Sequence, residues 1–371
     1  MVKAIAVFPE AHEIRLVEHP EPQITQPSQV KLKILEVGVC GTDRHICALA
    51  FGTPPVDSEY LILGHEALAE VVEVGEAVTQ FRPGDLVVPE VRRPCNDPDC
   101  RACRAAQQDF CYTGSYTERG IQGLHGYMAT TVVDEARYLH PVPAELRQVA
   151  VLTEPLTIAE KALVQALQIQ DRLPWRTGSA TNAEPGRGLK AVVLGAGPIG
   201  LLGAMLFVTA GFETYVYSRA QAPNEKSAIV EAIGATYLSA ETTSVEQLTE
   251  RLGHIDLVYE ALDAAPLAIE VLHNLHRNGI FIFTSGTDPN HPFHIDTANA
   301  IEHITSKNQV IIGTVNAGPA TFQSAINHLS IFQQRWPQVL PALITRRYPM
   351  EQAKEVLLKK PGGIKHIVSI A

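Results

Sequence analysis

Three groups of residues in this 371-residue chain have the types and spacing to do chemistry. In the first, Cys40-Gly-Thr42-Asp43-Arg-His45 follows one strand pattern, and Gly64-His65-Glu66 follows another. A thiolate, an imidazole and a carboxylate all ligate zinc, and a catalytic zinc keeps one position open for water or substrate. Glu154, in Leu152-Thr-Glu154-Pro155, offers a fourth donor at the start of a helical stretch. Asp43 is placed to take the other ring N–H of a ligating histidine and fix its tautomer. Thr42 and His45 offer a hydroxyl and an imidazole for passing a proton outward. Taken singly, Cys40 is as well explained as a small buried hydrophobe and His65 as a satisfied turn histidine. Their company decides for a metal.

The second group is Cys95, Cys100, Cys103 and Cys111, four of the six cysteines, in a segment without hydrophobic periodicity. In a reducing compartment such a cluster reads as a metal site rather than a disulfide frame. Four thiolates complete a tetrahedral zinc and leave no open position, so this site would be structural. The insert Asn96-Asp-Pro-Asp99 between the first two cysteines can bulge outward without moving the ligands. Cys47 reads as spare and buried.

The third group is Gly195-Ala-Gly197-Pro198-Ile199-Gly200, between the apolar run Ala191 to Leu194 and the apolar stretch Leu201 to Val208. Glycines at this spacing serve a tight turn, backbone approach to a pyrophosphate, and close helix packing. The helix N-terminus would hold the anion. One strand later comes Ser218-Arg219, where an NAD enzyme would carry an acid for the ribose hydroxyls. Glu213 lies at the wrong end of that strand. An arginine there accommodates a 2′-phosphate, so NADP is expected as the preferred cofactor, with NAD as a second acceptor.

The elements that must position these groups fall into two textures. Residues 1 to about 150 are mostly β, with Val30 to Val37 alternating apolar and charged residues and Leu68 to Val74 and Asp85 to Val88 as further strands. Leu156 to Leu167 is helical. Strands at 214–217, 257–259, 280–284 and 310–314 then alternate with helices at 226–233, 265–275 and 321–332, the pattern of a doubly wound parallel sheet. From about Val339 the chain returns to extended patterns and is expected to rejoin the first domain. The expected domains are therefore 1–155 with 340–371, and 156–339.

Composition sets the bounds. A hydrophobic content of 46% and a charged content of 19% describe a soluble globular protein, and a net charge of −10 argues against nucleic acid or anionic membrane as its main partner. The fold class, α/β, comes from the alternation of strands and helices. No uncharged apolar run reaches 18 residues, so no membrane span is expected, and the N-terminus reads as a first strand of a cytoplasmic protein.

Together, Cys40-Gly-Thr-Asp43, Gly64-His65-Glu66, the four-cysteine lobe and the late glycine turn resemble the zinc-dependent medium-chain dehydrogenase/reductases over essentially the whole chain. Arg92-Arg93-Pro-Cys95, Asp109-Phe-Cys111-Tyr-Thr-Gly, Gly120 to Met128, Glu154-Pro155-Leu156 with Glu160-Lys161, and Ile312-Gly-Thr-Val315-Asn316 are similar to the glucose 1-dehydrogenase branch. The resemblance implies a GroES-like, barrel-like catalytic domain, a Rossmann domain, and an active site in the cleft between them. It implies two zinc ions per chain, with Cys40, His65, Glu66 and Glu154 at the catalytic metal, Glu66 the least constant ligand of the four. It implies sugar contacts at Thr42, Glu118 and Glu154. Thr284, Ser285, Val315, Asn316 and Lys365 fall at cofactor-neighbouring positions, and a homo-oligomer, tetramer or dimer, is implied, with the strand near Val310 as its expected contact.

The implied reaction is oxidation of an aldose at C1, D-glucose first, with hydride passing to the nicotinamide to give a lactone. Zinc lowers the pKa of bound water from about 15.7 to about 7. At about 1.36 kcal/mol per unit that is on the order of 10 kcal/mol, so the metal carries the deprotonation and Thr42 with His45 need only relay the proton. Three positions depart from the branch: Ala69 replaces a signature glycine, and Val91 and Ile158 replace polar sugar contacts. A polyol, secondary-alcohol or threonine dehydrogenase is the nearest alternative, and a nucleotide-binding sensor without catalysis a remote one.

Overall fold

A computed structural model describes residues 1–178, 180–262, 264–285 and 296–371. The chain forms two compact units, 1–157 with 316–371, and 158–315.

The first unit is built on a seven-stranded sheet whose central members bear on the chemistry. Its longest strand, Gln29–Val39, alternates at first and is fully buried from Leu35 to Val39. It pairs antiparallel with Glu66–Val74 on one side and with the C-terminal strand Lys365–Ser369 on the other. The tail thus rejoins the first unit as expected, by a strand buried along most of its length, including Ile367 and Val368 at 0% exposure. Apolar side chains from Ile5, Val7, Leu32, Ile34, Leu63, Val71, Val87, Met128 and Val368 make one core, which the helix Ala353–Leu358 joins through Val356 and Leu357.

The second unit carries a six-stranded, all-parallel sheet. Counted within the unit, the strand order is 3-2-1-4-5-6, that of a Rossmann sheet. The helix Pro198–Thr209 is apolar on every side and every residue from Gly200 to Phe207 is buried, as a helix without a polar face must be. Val192, Leu194, Val258 and Phe281 pack under Leu248, Ala268 and Val271 to form a core of this unit.

Three expectations differ from this outcome. The helix Pro319–Arg335 belongs to the first unit, so the chain crosses back at Asn316 rather than near 340. The cause is packing: Phe322 is 1% exposed and stacks on His140 with ring centroids 5.3 Å apart. The tail after Val339 is not all extended, since Val356 and Leu357 bury one face of a helix. Thr236–Ser239, Val245–Leu252 and Thr297–Ser306 are a strand and two helices beyond those expected.

Candidate functional site

In the first unit, one end of the central sheet gathers the first group. Cys40 leaves the strand Gln29–Val39 as the residue preceding the helix Gly41–Cys47. Gly38 lies opposite Glu66, and His366 opposite Val39, so three neighbouring strands deliver Cys40, His65-Glu66 and Lys365 to the same place. Ligand atoms of Cys40, His65 and Glu66 all lie within 4.8 Å of one another, with His65 4% and Glu66 1% exposed.

The helix behind them orients the imidazole. Asp43, fully buried, accepts the Cys40 backbone N–H at 2.8 Å through one oxygen and stands 3.4 Å from His65 Nδ1 with the other. Burial pushes the Asp43 carboxyl up, but His65 and the Cys40 N–H override it and hold it below its ordinary value. For His65 burial works downward, and Asp43 outweighs it, so the imidazole titrates well above the usual range. Nδ1 on Asp43 leaves Nε2 for a metal. Thr42, half-buried, and His45, exposed, sit one turn apart on the same helix.

The other carboxylates behave differently. Glu154, at the start of the helix Thr153–Gln170, is 9% exposed but stands outside the 4.8 Å set. Burial, opposed by His65 and reinforced by Glu66, raises its pKa to about 7. The close set therefore contains Glu66, the ligand expected to be least constant, and not Glu154. Glu66 Oε2 is ion-paired with Lys365 Nζ, whose side chain is 2% exposed. Lys365, a residue expected beside the cofactor, turns its ammonium into this carboxylate cluster because the C-terminal strand aims it there.

Sequence reasoning missed Gly38. A Cβ there would overlap Glu66 Oε2 and come within 2.9 Å of Lys365 Cε. The signal was only a glycine two residues before Cys40 in a buried strand.

The four cysteines of the lobe converge on one point. A tetrahedron with Zn–S bonds of about 2.3 Å has edges of about 3.8 Å. Cys95 and Cys103 sulfurs are 3.6 Å apart, Cys100 and Cys111 4.0 Å, and all four lie within 4.8 Å. All six cysteines are free thiols. Backbone N–H groups of Cys103 and Tyr112 lower the Cys100 thiol. At Cys111 burial pushes upward, yet the Thr113 hydroxyl and the N–H groups of Thr113 and Gly114 bring it to about 6. Those donors suit thiolates, so the residues fit a closed zinc. The insert 96–99 is wholly exposed and closes as a turn, with Asp99 N–H donating to Asp97 Oδ1 at 2.8 Å. Cys47 is half-buried, its thiol pushed up to about 12 chiefly by burial.

Glu118, on the short strand Thr117–Arg119, is 8% exposed. It receives Arg92 Nε at 3.0 Å and Asn316 Nδ2 at 2.7 Å on the same oxygen, Oε1.

In the second unit, the strand Lys190–Leu194 runs into the glycine turn and then the helix opened by Pro198. Gly195 has φ +102°, and a Cβ there would meet the Ala261 carbonyl at 2.7 Å. Gly200 packs on the Gly195 backbone, whereas a Cβ at Gly197 would have open space around it. That is the arrangement in which a pyrophosphate can approach the helix N-terminus between Gly197 and Ile199. Ser218 ends the neighbouring strand and Arg219 follows it, exposed. Thr284 and Ser285 follow the strand Ile280–Phe283, and both backbone N–H groups donate to Glu260 Oε2 at 3.1 Å. Glu260, 2% exposed, was not anticipated. Val315 is exposed, its carbonyl holding Lys161 Nζ at 3.0 Å.

Comparison with known proteins bears directly on these two units. Residues 26–144 match the model of the alcohol dehydrogenase GroES-like domain, and residues 147–370 that of the glucose dehydrogenase C-terminus. The chain is 37% identical over 371 residues to a glucose 1-dehydrogenase of Methanocella arvoryzae, covering 100% of this chain and 99% of that one. It belongs to the glucose dehydrogenase family. The family's Thermoproteus tenax glucose 1-dehydrogenase is 37% identical over 370 residues, with 100% and 99% covered. Among solved structures, a glucose dehydrogenase of Haloferax mediterranei, in complex with NADP, Zn and gluconolactone, superposes with a TM-score of 0.87. It is 30% identical, with 100% of this chain and 99% of that one covered. Among the described residues no helix is long and apolar enough to cross a membrane.

Proposed function

We propose that this member of the glucose dehydrogenase family oxidises an aldose, D-glucose first, at C1 to the lactone, with hydride passing to NADP and, as a second acceptor, NAD. The observation that carries the reading is the convergence of Cys40, His65 and Glu66 within 4.8 Å at one end of a buried sheet. Relatives named glucose 1-dehydrogenase and a neighbour holding NADP, Zn and gluconolactone support it.

In this reading Cys40, His65 and Glu66, with Glu154 as the further donor, hold the catalytic zinc, and Cys95, Cys100, Cys103 and Cys111 the structural one. Bound zinc supplies Lewis acidity at the sugar's C1 oxygen. The chain's own residues do the rest. Asp43 fixes the His65 ring. Thr42 and His45 carry the C1 hydroxyl proton outward along their shared helix face. Glu118 and Glu154 contact the sugar, Glu118 accepting from a hydroxyl. Gly195, Gly197, Pro198, Ile199 and Gly200 take the pyrophosphate, Ser218 and Arg219 the 2′-phosphate, and Thr284, Ser285, Val315 and Asn316 flank the remainder of the dinucleotide. Lys365, the partner of Glu66, completes the cofactor neighbours.

We assign the protein to the cytoplasm, where six free thiols persist. It is a homo-oligomer, dimer or tetramer, that uses the strand Val310–Gly313 at the edge of the parallel sheet. Initial rates on glucose, other aldoses, sorbitol, 2-butanol and threonine, each with NADP and NAD, test the function. Fastest turnover on an aldose with NADP is expected; preference for a polyol, a secondary alcohol or threonine refutes it.

A further inference from the structure

Arg92 joins two parts of the first unit that the chemistry would treat separately. It is 5% exposed, on the two-residue strand Arg92–Arg93 that pairs antiparallel with Thr117–Arg119. Its Nε donates to Glu118 Oε1 at 3.0 Å, and its Nη1 to the backbone carbonyl of Asp109 at 3.2 Å. Its guanidinium carbon lies 3.7 Å from the centre of the Tyr116 ring. Asp109 sits in the turn Gln108–Phe110, between Cys103 and Cys111 of the lobe. Its Oδ1 is 2.9 Å from where a Cβ on Gly318 would stand, two residues after the Asn316 that also holds Glu118. Lobe, Arg92, Glu118 and the 316–318 turn thus close a ring of contacts.

We infer that Arg92 is a positioning residue through which the four-cysteine lobe sets the carboxylate of Glu118, so that the state of the lobe governs sugar affinity. The inference rests on the reading of Glu118 as a sugar contact. Two physical facts carry it. The lobe's own apolar core is only Cys95, Cys100 and Ala102 with Cys103 and Cys111 against it, so its shape depends on what the thiolates bind. A guanidinium is a rigid planar fork, so a shift of the Asp109 carbonyl is passed to the Glu118 end rather than absorbed. Lysine, a point charge on a flexible stem, cannot span Asp109 and Glu118 and stack on Tyr116 together.

The test compares wild type, Arg92→Lys, Cys103→Ser and the double variant, all purified with zinc and assayed for metal content. Arg92→Lys is expected to raise the KM for glucose roughly tenfold, the worth of a hydrogen bond to a charged group, with both metals retained and the KM for NADP unchanged. Cys103→Ser should raise the same KM, and the double variant should be no worse than the more severe single one, because the two act in series. A purely structural role would lower the active fraction and the maximal rate while leaving the KM for glucose in place, and that result overturns the inference. A second measurement needs no substrate and no foldable cysteine variant: amide hydrogen exchange of Thr117–Arg119, where the Arg119 N–H donates to the Val91 carbonyl at 3.0 Å. Exchange there should rise in Arg92→Lys and in wild type stripped of lobe metal by a chelator; unchanged exchange overturns the coupling. Coupled exchange in a wild type that turns over no aldose would overturn the sugar reading alone.

Discussion

Lys365 and Glu66 meet as an ion pair whose side chains are 2% and 1% exposed, at the point where Cys40 and His65 also converge. Burial works against the ammonium, but Glu66 and the Cys40 thiol beside it outweigh burial and hold its pKa above the ordinary value. A cation delivered by the strand Lys365–Ser369 therefore balances a carboxylate whose other neighbours are Cys40, Glu154 and an imidazole already held by Asp43.

Replacing that cation tests its role. Breaking a buried pair from one side typically costs about 3–5 kcal/mol, because the remaining charge is left uncompensated. Lys365→Met should lower the stability of metal-free protein by about that much and that of zinc-loaded protein by less, since the metal then faces Glu66. Denaturant melts with and without chelator check this; equal losses in both states would contradict it.

A second buried charge cluster makes a prediction in acid. Asp134, 4% exposed, accepts Arg93 Nη2 at 2.7 Å and the Tyr127 hydroxyl at 2.8 Å, with Arg119 Nη2 at 3.2 Å. Burial pushes its carboxyl up, yet the two guanidiniums prevail and hold it below its ordinary value. A carboxyl depressed by folding stabilises fully above its unfolded pKa, about 3.9, and loses that stabilisation as pH falls through the folded value. Stability should therefore drop steeply below about pH 4. Asp134→Asn should be less stable at neutral pH and show a shallower acid limb. Parallel acid limbs for the two proteins would rule out Asp134 as a contributor.

The cofactor assignment hangs on Arg219, exposed just past the strand that pairs with the glycine-turn strand. Arg219→Ala should raise the KM for NADP about tenfold or more, the loss of a charge-assisted contact, and leave the KM for NAD unchanged. Steady-state kinetics with both cofactors decide it, and equal changes would remove Arg219 from the 2′-phosphate site.

Much of this was legible in the sequence because the signals were local. The glycine turn lies within one strand–turn–helix, and the four cysteines fall within 17 positions, so spacing alone placed them. What escaped was long-range. Lys365 reaches Glu66 only because the last strand pairs with Gln29–Val39, a register no local pattern reveals. Gly38 matters only because Glu66 lies opposite it. The helix Pro319–Arg335 has the same periodicity whichever unit it packs on, and only the fit of Phe322 against His140 decides. One miss was avoidable. Ser244 and Gln247 form a capping box ahead of Val245, Leu248 and Leu252, a helix start written in the sequence.

The proposed function requires two separate zinc sites, of which only the one at Cys40 is catalytic. Zinc content and glucose turnover, measured together on wild type and Cys40→Ser, test it most directly. Wild type should hold two zinc ions per chain and reduce NADP with glucose; Cys40→Ser should hold one and be inactive. A Cys40→Ser protein that lacks this zinc and still oxidises glucose at the wild-type rate would contradict the claim.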